Sequence, residues 1–305
     1  MEAAGVSNAT DDGFYEATAR QRVAALLDKG SFHEILPPAQ RVVSPHLKEL
    51  DLPVAFDDGI VIGEGRLDGR KVFVAAQEPA FMGGSVGEVH GAKLTGLLDR
   101  AARDRPDGVV LLLDTGGVRL HEANAGLIAI SEIQRAVFRA RAAAVPVIAV
   151  SAGSNGCFGG IGIVARCCDY VVMTEEGRLS VSGPEVIESQ KGVEEFDARD
   201  RALVWRTMGG KHRYLIGEAD GLVQDSAARI RAAVLPWLGT PVPLDLDSLT
   251  QEHARLALRL EQFGDAQDAL EIWSRQGVKA PQDLPGLDHE AFMNIAVPLR
   301  NSSHA

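Results

Sequence analysis

Two glycine pairs stand after apolar runs: Gly116-Gly117 behind "VVLLLD", and Gly159-Gly160 behind "VPVIAVS" and a short link. Five glycines fall between Gly153 and Gly162, where a core element should begin. Glycine is costly to order and packs little, so its use here points to the backbone itself as the reagent. A glycine pair at a strand end lets a ligand approach the main chain. A helix starting directly afterwards leaves unpaired N–H groups and the positive end of its dipole facing that ligand. Such a place suits an anion, or an oxygen that becomes anionic during reaction. Tight turns with close helix–strand packing would use the same residues.

Other glycine patterns fit less well. Gly160 to Ala165 matches G-x-G-x-x-A, but the strand ends near Ser151, and a dinucleotide fingerprint needs its first glycine at the strand tip. Gly83-Gly84-Ser85-Val86-Gly87 matches G-x-S-x-G, yet "EPAFM" separates it from the preceding strand, where a nucleophile elbow must sit. Gly210-Lys211 is followed by His212, so the phosphate-loop motif is missing. Cys157, Cys167 and Cys168 lack the spacing of a zinc site and read as core packing. His90 and His121 lie nearest the glycine elements, and each could donate a proton near pH 7.

These groups need a scaffold. The 305 residues are 46% hydrophobic, enough for a large core. "GIVIGEGRLDGRKVFVAAQ" reads as two strands joined at Asp68-Gly69. From there strands ("GVVLLLD", "VPVIAVS", "DYVVMTEE") alternate with helical stretches, which argues an α/β fold with buried parallel strands. Punctuation divides the chain into residues 1–58 (a helix and an irregular extension), 59–235 (the α/β domain) and 236–305 (a helical extension). "NSSHA" reads as a frayed tail. No apolar run is long enough to cross a bilayer, and the start, with Glu2, Asp11 and Asp12, lacks a secretory pattern. Three cysteines suggest no disulfide framework, so the cytoplasm is expected. A net charge of −11 argues against nucleic-acid binding. The basic run from Arg199 to Arg213 is either a local anion patch or a solvated helix face.

Several segments also resemble a known family. "NGCFGGIGIVARCCDYVVM" is similar to the glycine helix of the crotonase-like superfamily. "FMGGSVGEVHGAK", "DTGGVRLHEA" and "SGPEVIE" resemble, in order, segments of the carboxyltransferase β half of acyl-CoA carboxylases. "GCFGGIGI" and "KHRYLIGEADGLV" look most like the malonate decarboxylase β subunits. The resemblance runs from about Ser31 to Val223. It implies the ββα spiral of crotonase and carboxyltransferase domains, a homologous γ subunit, and an active site at their interface. It implies decarboxylation of a malonyl thioester on an acyl carrier subunit, whose prosthetic group is a phosphoribosyl-dephospho-CoA derivative, with an acyl carrier transferase subunit as a further partner. The oxyanion hole then falls on Gly116, Gly117, Val118, Gly159 and Gly160, with His121 a candidate proton donor. Arg119, Gly84, Ser85 and Phe158 are expected on the substrate side, although a salt-bridging role for Arg119 is just as common, and a side chain at Gly160 should fill the thioester's approach. Val118 replaces the usual alanine of G-G-A-R, and the four-cysteine zinc module of some carboxylase β subunits is absent. Both tilt the resemblance from carboxylase toward decarboxylase. The alternatives are a biotin-dependent acyl-CoA carboxyltransferase β subunit and a non-catalytic subunit that binds a carrier or CoA.

Overall fold

The computed structural model describes residues 13–303. The segments carrying the secretory-signal reading, before Gly13, and the end of the expected tail, after Ser303, lie outside them. The last three described residues close a helix.

Seven strands form one mixed sheet in chain order: β1 (His33–Ile35), β2 (Ile60–Leu67), β3 (Arg70–Gln77), β4 (Gly108–Leu113), β5 (Val147–Ser151), β6 (Tyr170–Thr174) and β7 (Gly221–Val223). The first two pairings are antiparallel and the remaining four parallel. Asp68 and Gly69 both adopt positive φ, the turn that a tight hairpin between β2 and β3 requires. Every residue of β4 and β5 is buried, as expected of parallel strands covered on both faces.

Strand alternation divides the core. Val109, Leu111 and Leu113 point to the face covered by α3 (Glu88–Asp104), α4 (Asn124–Ala142) and α5 (Gly159–Cys167). Val110 and Leu112 point to the face covered by α1 (Ala19–Leu26) and α9 (Ala227–Val234). Four helices lie between these: α2 (Pro45–Glu49), α6 (Pro184–Lys191), α7 (Arg201–Met208) and α8 (Gly210–Leu215). The chain closes with α10 (Leu246–Phe263), α11 (Ala269–Arg275) and α12 (His289–Ser303). The segments at either end share this core. Phe14, Val23 and Leu26 lie under the sheet with α9, while Trp273, Phe292 and Ala296 join the opposite face. Among the described residues, no helix is long and apolar enough to cross a membrane.

The C-terminal helices are fastened by charge. Glu218 accepts from Arg213 at 2.6 Å and from Arg259 of α10 at 2.7 Å. Burial pushes the Glu218 carboxyl up, but the Arg213, Arg259 and Arg166 charges outweigh it and hold the pKa at about 2. Since the folded value lies below the unfolded one, this stabilisation is complete above about pH 4.5 and is lost as pH falls toward 2. It amounts to roughly 3 kcal/mol at neutral pH. Chemical unfolding of wild type and Glu218→Gln from pH 7 to 3 should show a gap of that order, narrowing below about pH 4.5. A gap independent of pH would contradict this reading.

Candidate active site

The carboxyl ends of β4 and β5 lie side by side, and the chain leaves each in a glycine-rich loop. The two loops are stitched together. Thr115 N donates to Gly156 O at 2.7 Å, and Phe158 N donates to Thr115 O at 3.1 Å. Gly117 (φ +129°) and Gly159 (φ +64°) both take backbone conformations that favour glycine. A Cβ on Gly159 would lie 3.0 Å from the Gly117 Cα and 3.7 Å from the Val118 nitrogen. The two main chains therefore touch, and a side chain on Gly159 would force them apart.

Most amides at this contact are already paired. Gly116 N donates to Gly83 O at 2.9 Å, Gly117 N to Thr115 Oγ1 at 3.0 Å, and Gly159 N to Val181 O at 2.9 Å. Two are left over: among the described residues, the N–H groups of Val118 and Gly160 have no acceptor. Each follows from its local structure. Val118 forms a parallel bridge with Val86 in which the hydrogen bonds fall on residues 117 and 119, so its own N–H turns away. Gly160 is the second residue of α5, and the first amides of a helix have no acceptor within it. Both residues are half-buried. The result is a pair of unpaired donors beside one another, reinforced by the positive end of α5. Such a pair binds a carbonyl oxygen and binds it more strongly as negative charge develops.

The expected site residues divide. Val118 and Gly160 supply the free amides, whereas Gly117 and Gly159 permit the close approach. Gly116 is exposed with its amide taken, and a side chain there would meet only open space and the Gly83 carbonyl at 3.8 Å. His121 is exposed on a 3-10 turn (Leu120–Glu122) three residues beyond Val118, and its ring has no partner among the described residues.

Four expectations need correction. Arg119 is 1% exposed and turns inward. Its Nη1 donates to Asp58 at 3.0 Å and Glu122 at 3.1 Å, and its Nη2 to the carbonyls of Asp58 and Ser85. It fixes the loop from within: both terminal nitrogens are committed, and Nε, though without a partner, is buried away from any incoming anion. Phe158 is buried against Phe196, Val204 and Met208, with the Arg178 guanidinium over its ring, so it anchors α7 to the second loop. Gly84 is buried against the end of β4, where a Cβ would overlap the Asp114 carbonyl. Gly160's missing side chain faces Ile130 of α4 at 2.5 Å, so this glycine admits a neighbouring helix, not the thioester. Ser85 is half-buried, and its hydroxyl has no hydrogen bond among the described residues, so no nucleophile–base pair forms there.

Other candidates are spent on structure. His90 is buried, and that burial, with the Arg119 and Lys93 charges, pushes its pKa down to about 3. It is neutral and enclosed at pH 7. Burial raises all three cysteine thiols. Three cations of the basic run are held in pairs, Arg206 with Asp268, Lys211 with Glu175 and Arg213 with Glu218, while Arg201 stacks over Trp205. No cluster of three or more metal-ligating side chains occurs among the described residues. The sequence reading missed Arg22, Asp114 and Thr115, which hold the two loops. Asp114 was visible as the acid ending "VVLLLD"; nothing in the sequence pointed to Arg22, 92 residues away.

Gly160→Ala should lower the melting temperature of the full chain by several degrees, because its methyl collides with Ile130. Adding Ile130→Ala should restore part of the loss that Gly160→Ala causes in the wild-type background. If the two losses simply add, the side chain at 160 does not point at α4.

Comparison with known proteins agrees with this architecture. Residues 15–222 match the carboxyl transferase domain family. The chain is 37% identical over 310 residues to the malonyl-S-ACP:biotin-protein carboxyltransferase of Malonomonas rubra, covering 95% of this chain and 97% of that one. A malonate decarboxylase hetero-tetramer from Pseudomonas, solved with malonate, contains a chain 43% identical at a TM-score of 0.78, covering 85% of this chain and 95% of that one. The propionyl-CoA carboxylase β chain of Saccharopolyspora erythraea is 32% identical, but over 68% of this chain and only 37% of its own length. Acyl-CoA carboxylases are thus the less favoured relatives. The chain belongs to the carboxyl transferase domain family, has its crotonase-like fold, and is a malonate decarboxylase-related enzyme subunit.

Proposed function

We propose that this chain is the subunit that stabilises the enolate formed when a malonyl thioester loses carbon dioxide. The observation that carries the reading is the pair of unpaired amides on Val118 and Gly160. The thioester oxygen sits between them. The bond from the α-carbon to the terminal carboxylate breaks, and its electrons move onto that oxygen. Carbon dioxide leaves, and the enolate takes a proton at carbon to give an acetyl thioester. One preorganised donor of this kind contributes roughly 3–4 kcal/mol to such a barrier. We assign the proton to His121, exposed three residues beyond Val118, or to a residue of the partner subunit.

The elements bearing the amides also expose apolar side chains: Leu120, Leu127 and Ile128 beside the first loop, and Ile163 and Val181 beside the second. Val181, 63% exposed, is the residue whose carbonyl holds Gly159. Apolar surface gathered around polar donors suits a protein partner, and we assign it to a homologous γ subunit that closes the site. The malonyl group arrives on an acyl carrier subunit, through a phosphoribosyl-dephospho-CoA arm, with an acyl carrier transferase subunit as a further partner. The free thiols of Cys157, Cys167 and Cys168 suit a reducing cytoplasm.

The Malonomonas relative supports a second fate for the carboxyl group, transfer to a biotin protein. Both routes share the enolate. The chain should be co-purified with its natural partners and carbon dioxide release from malonyl thioester measured with and without avidin. Release that avidin does not change supports direct decarboxylation, whereas loss of release with avidin assigns the biotin route. No consumption of the thioester in either case would contradict both.

A further inference from the structure

We infer that Arg22 and Asp114 are positioning residues, a buried ion pair that sets the spacing between the two free amides from beneath the sheet. Arg22 lies on α1, and its Nη2 meets Asp114 Oδ2 at 2.7 Å, with both side chains almost completely buried. The guanidinium is itself held, its Nε donating to Phe14 O at 2.8 Å. Asp114 ends β4 and begins the first loop. Its other oxygen, Oδ1, accepts from Asn155 N of the second loop at 2.7 Å, and its own amide donates to Gln77 Oε1 at 2.9 Å. Gly153 lies so close that a Cβ would overlap the Asp114 carboxylate.

One carboxylate therefore belongs to the first loop and grips the second. The other stitches between the loops, at Thr115, are neutral main-chain bonds; this one is charge-assisted and the stronger kind. Asp114 must be ionised to accept from both sides. Burial pushes its carboxyl up, and Arg22 is the principal group pulling it back down. Arg178 and the Cys157 thiol are the other titratable groups facing it. Without Arg22 the carboxyl takes up a proton more readily, the bond to Asn155 weakens, and the second loop shifts relative to the first. Donors misplaced by about 1 Å can cost about a hundredfold in rate.

The proposal rests on the enolate chemistry above, so its test carries one readout that needs no turnover. In the assembled complex, Arg22→Met should lower kcat about a hundredfold at pH 7 with KM within about twofold. The residual kcat should rise with pH, as Asp114 ionises, where wild type shows no such rise. Arg22→Lys should recover most of the rate. Amide hydrogen exchange should speed up in residues 114–118 and 153–160 together and stay unchanged in α3. A folded Arg22→Met complex with wild-type kcat and no new pH dependence overturns the proposal, as does a loss fully explained by the unfolded fraction. Should Arg22→Met not fold, Asp114→Asn replaces it. Its amide oxygen can still accept from Asn155, so a folded variant with wild-type kcat and wild-type exchange overturns the pair's role. If the wild-type complex itself does not turn over, the decarboxylation reading fails, and exchange alone decides: coupled loosening of both loops supports the pair and independent behaviour refutes it.

Discussion

Everything at this site depends on a contact between two main chains. Gly117 and Gly159 meet backbone to backbone, so that a Cβ on Gly159 would press within 3.0 Å of the Gly117 Cα, and Gly117 is held at a φ of +129° that side chains rarely adopt. Adjacent parallel strands bring their ends within about 5 Å of each other, but ordinary side chains would then hold the following loops apart. Glycine removes that barrier and supplies the positive φ that both turns require. The free amides are a by-product of the same geometry. A parallel bridge spends the hydrogen bonds of residues 117 and 119 and spares that of Val118. A helix start spares Gly160.

The loops carrying these amides are held by buried charge. Arg119 ties the first loop to Asp58 and Glu122, and Arg22 reaches the base of both loops through Asp114. Buried ion pairs add little net stability over well-packed apolar groups, because desolvation cancels much of the attraction. What they supply is a fixed geometry with a large penalty for partial disruption. That suits a site whose donors are aimed in advance at a developing negative charge.

The scaffold was readable in the sequence because its signals are local. The hairpin turn at Asp68-Gly69, the continuous apolar runs of β4 and β5 and the glycine-marked start of α5 each sit within a few residues. The glycine pairs were legible as a place where backbone matters. Which amides are free was not, since that depends on Gly83, Val86 and Val181, brought in from other segments. Arg119 could be read either as a hold on the anion or as a salt-bridging arginine, and the choice was not legible because its partner Asp58 is 61 residues away. Phe158 and Gly84 were misplaced for the same reason: α7 and the end of β4 bury them. Within the basic run from Arg199 to Arg213, the cations Arg206, Lys211 and Arg213 are taken by acids from other segments, Asp268, Glu175 and Glu218.

The central claim is that a backbone N–H, and no side chain, carries the charge stabilisation. It is tested most directly by replacing Val118 with its α-hydroxy acid analogue through semisynthesis. That change turns one amide into an ester, deleting the donor while keeping the side chain. In the assembled complex kcat for malonyl thioester should fall by about 10²–10³-fold, with KM little changed. An ester variant that turns over at the wild-type rate would show that the Val118 amide does not carry the charge.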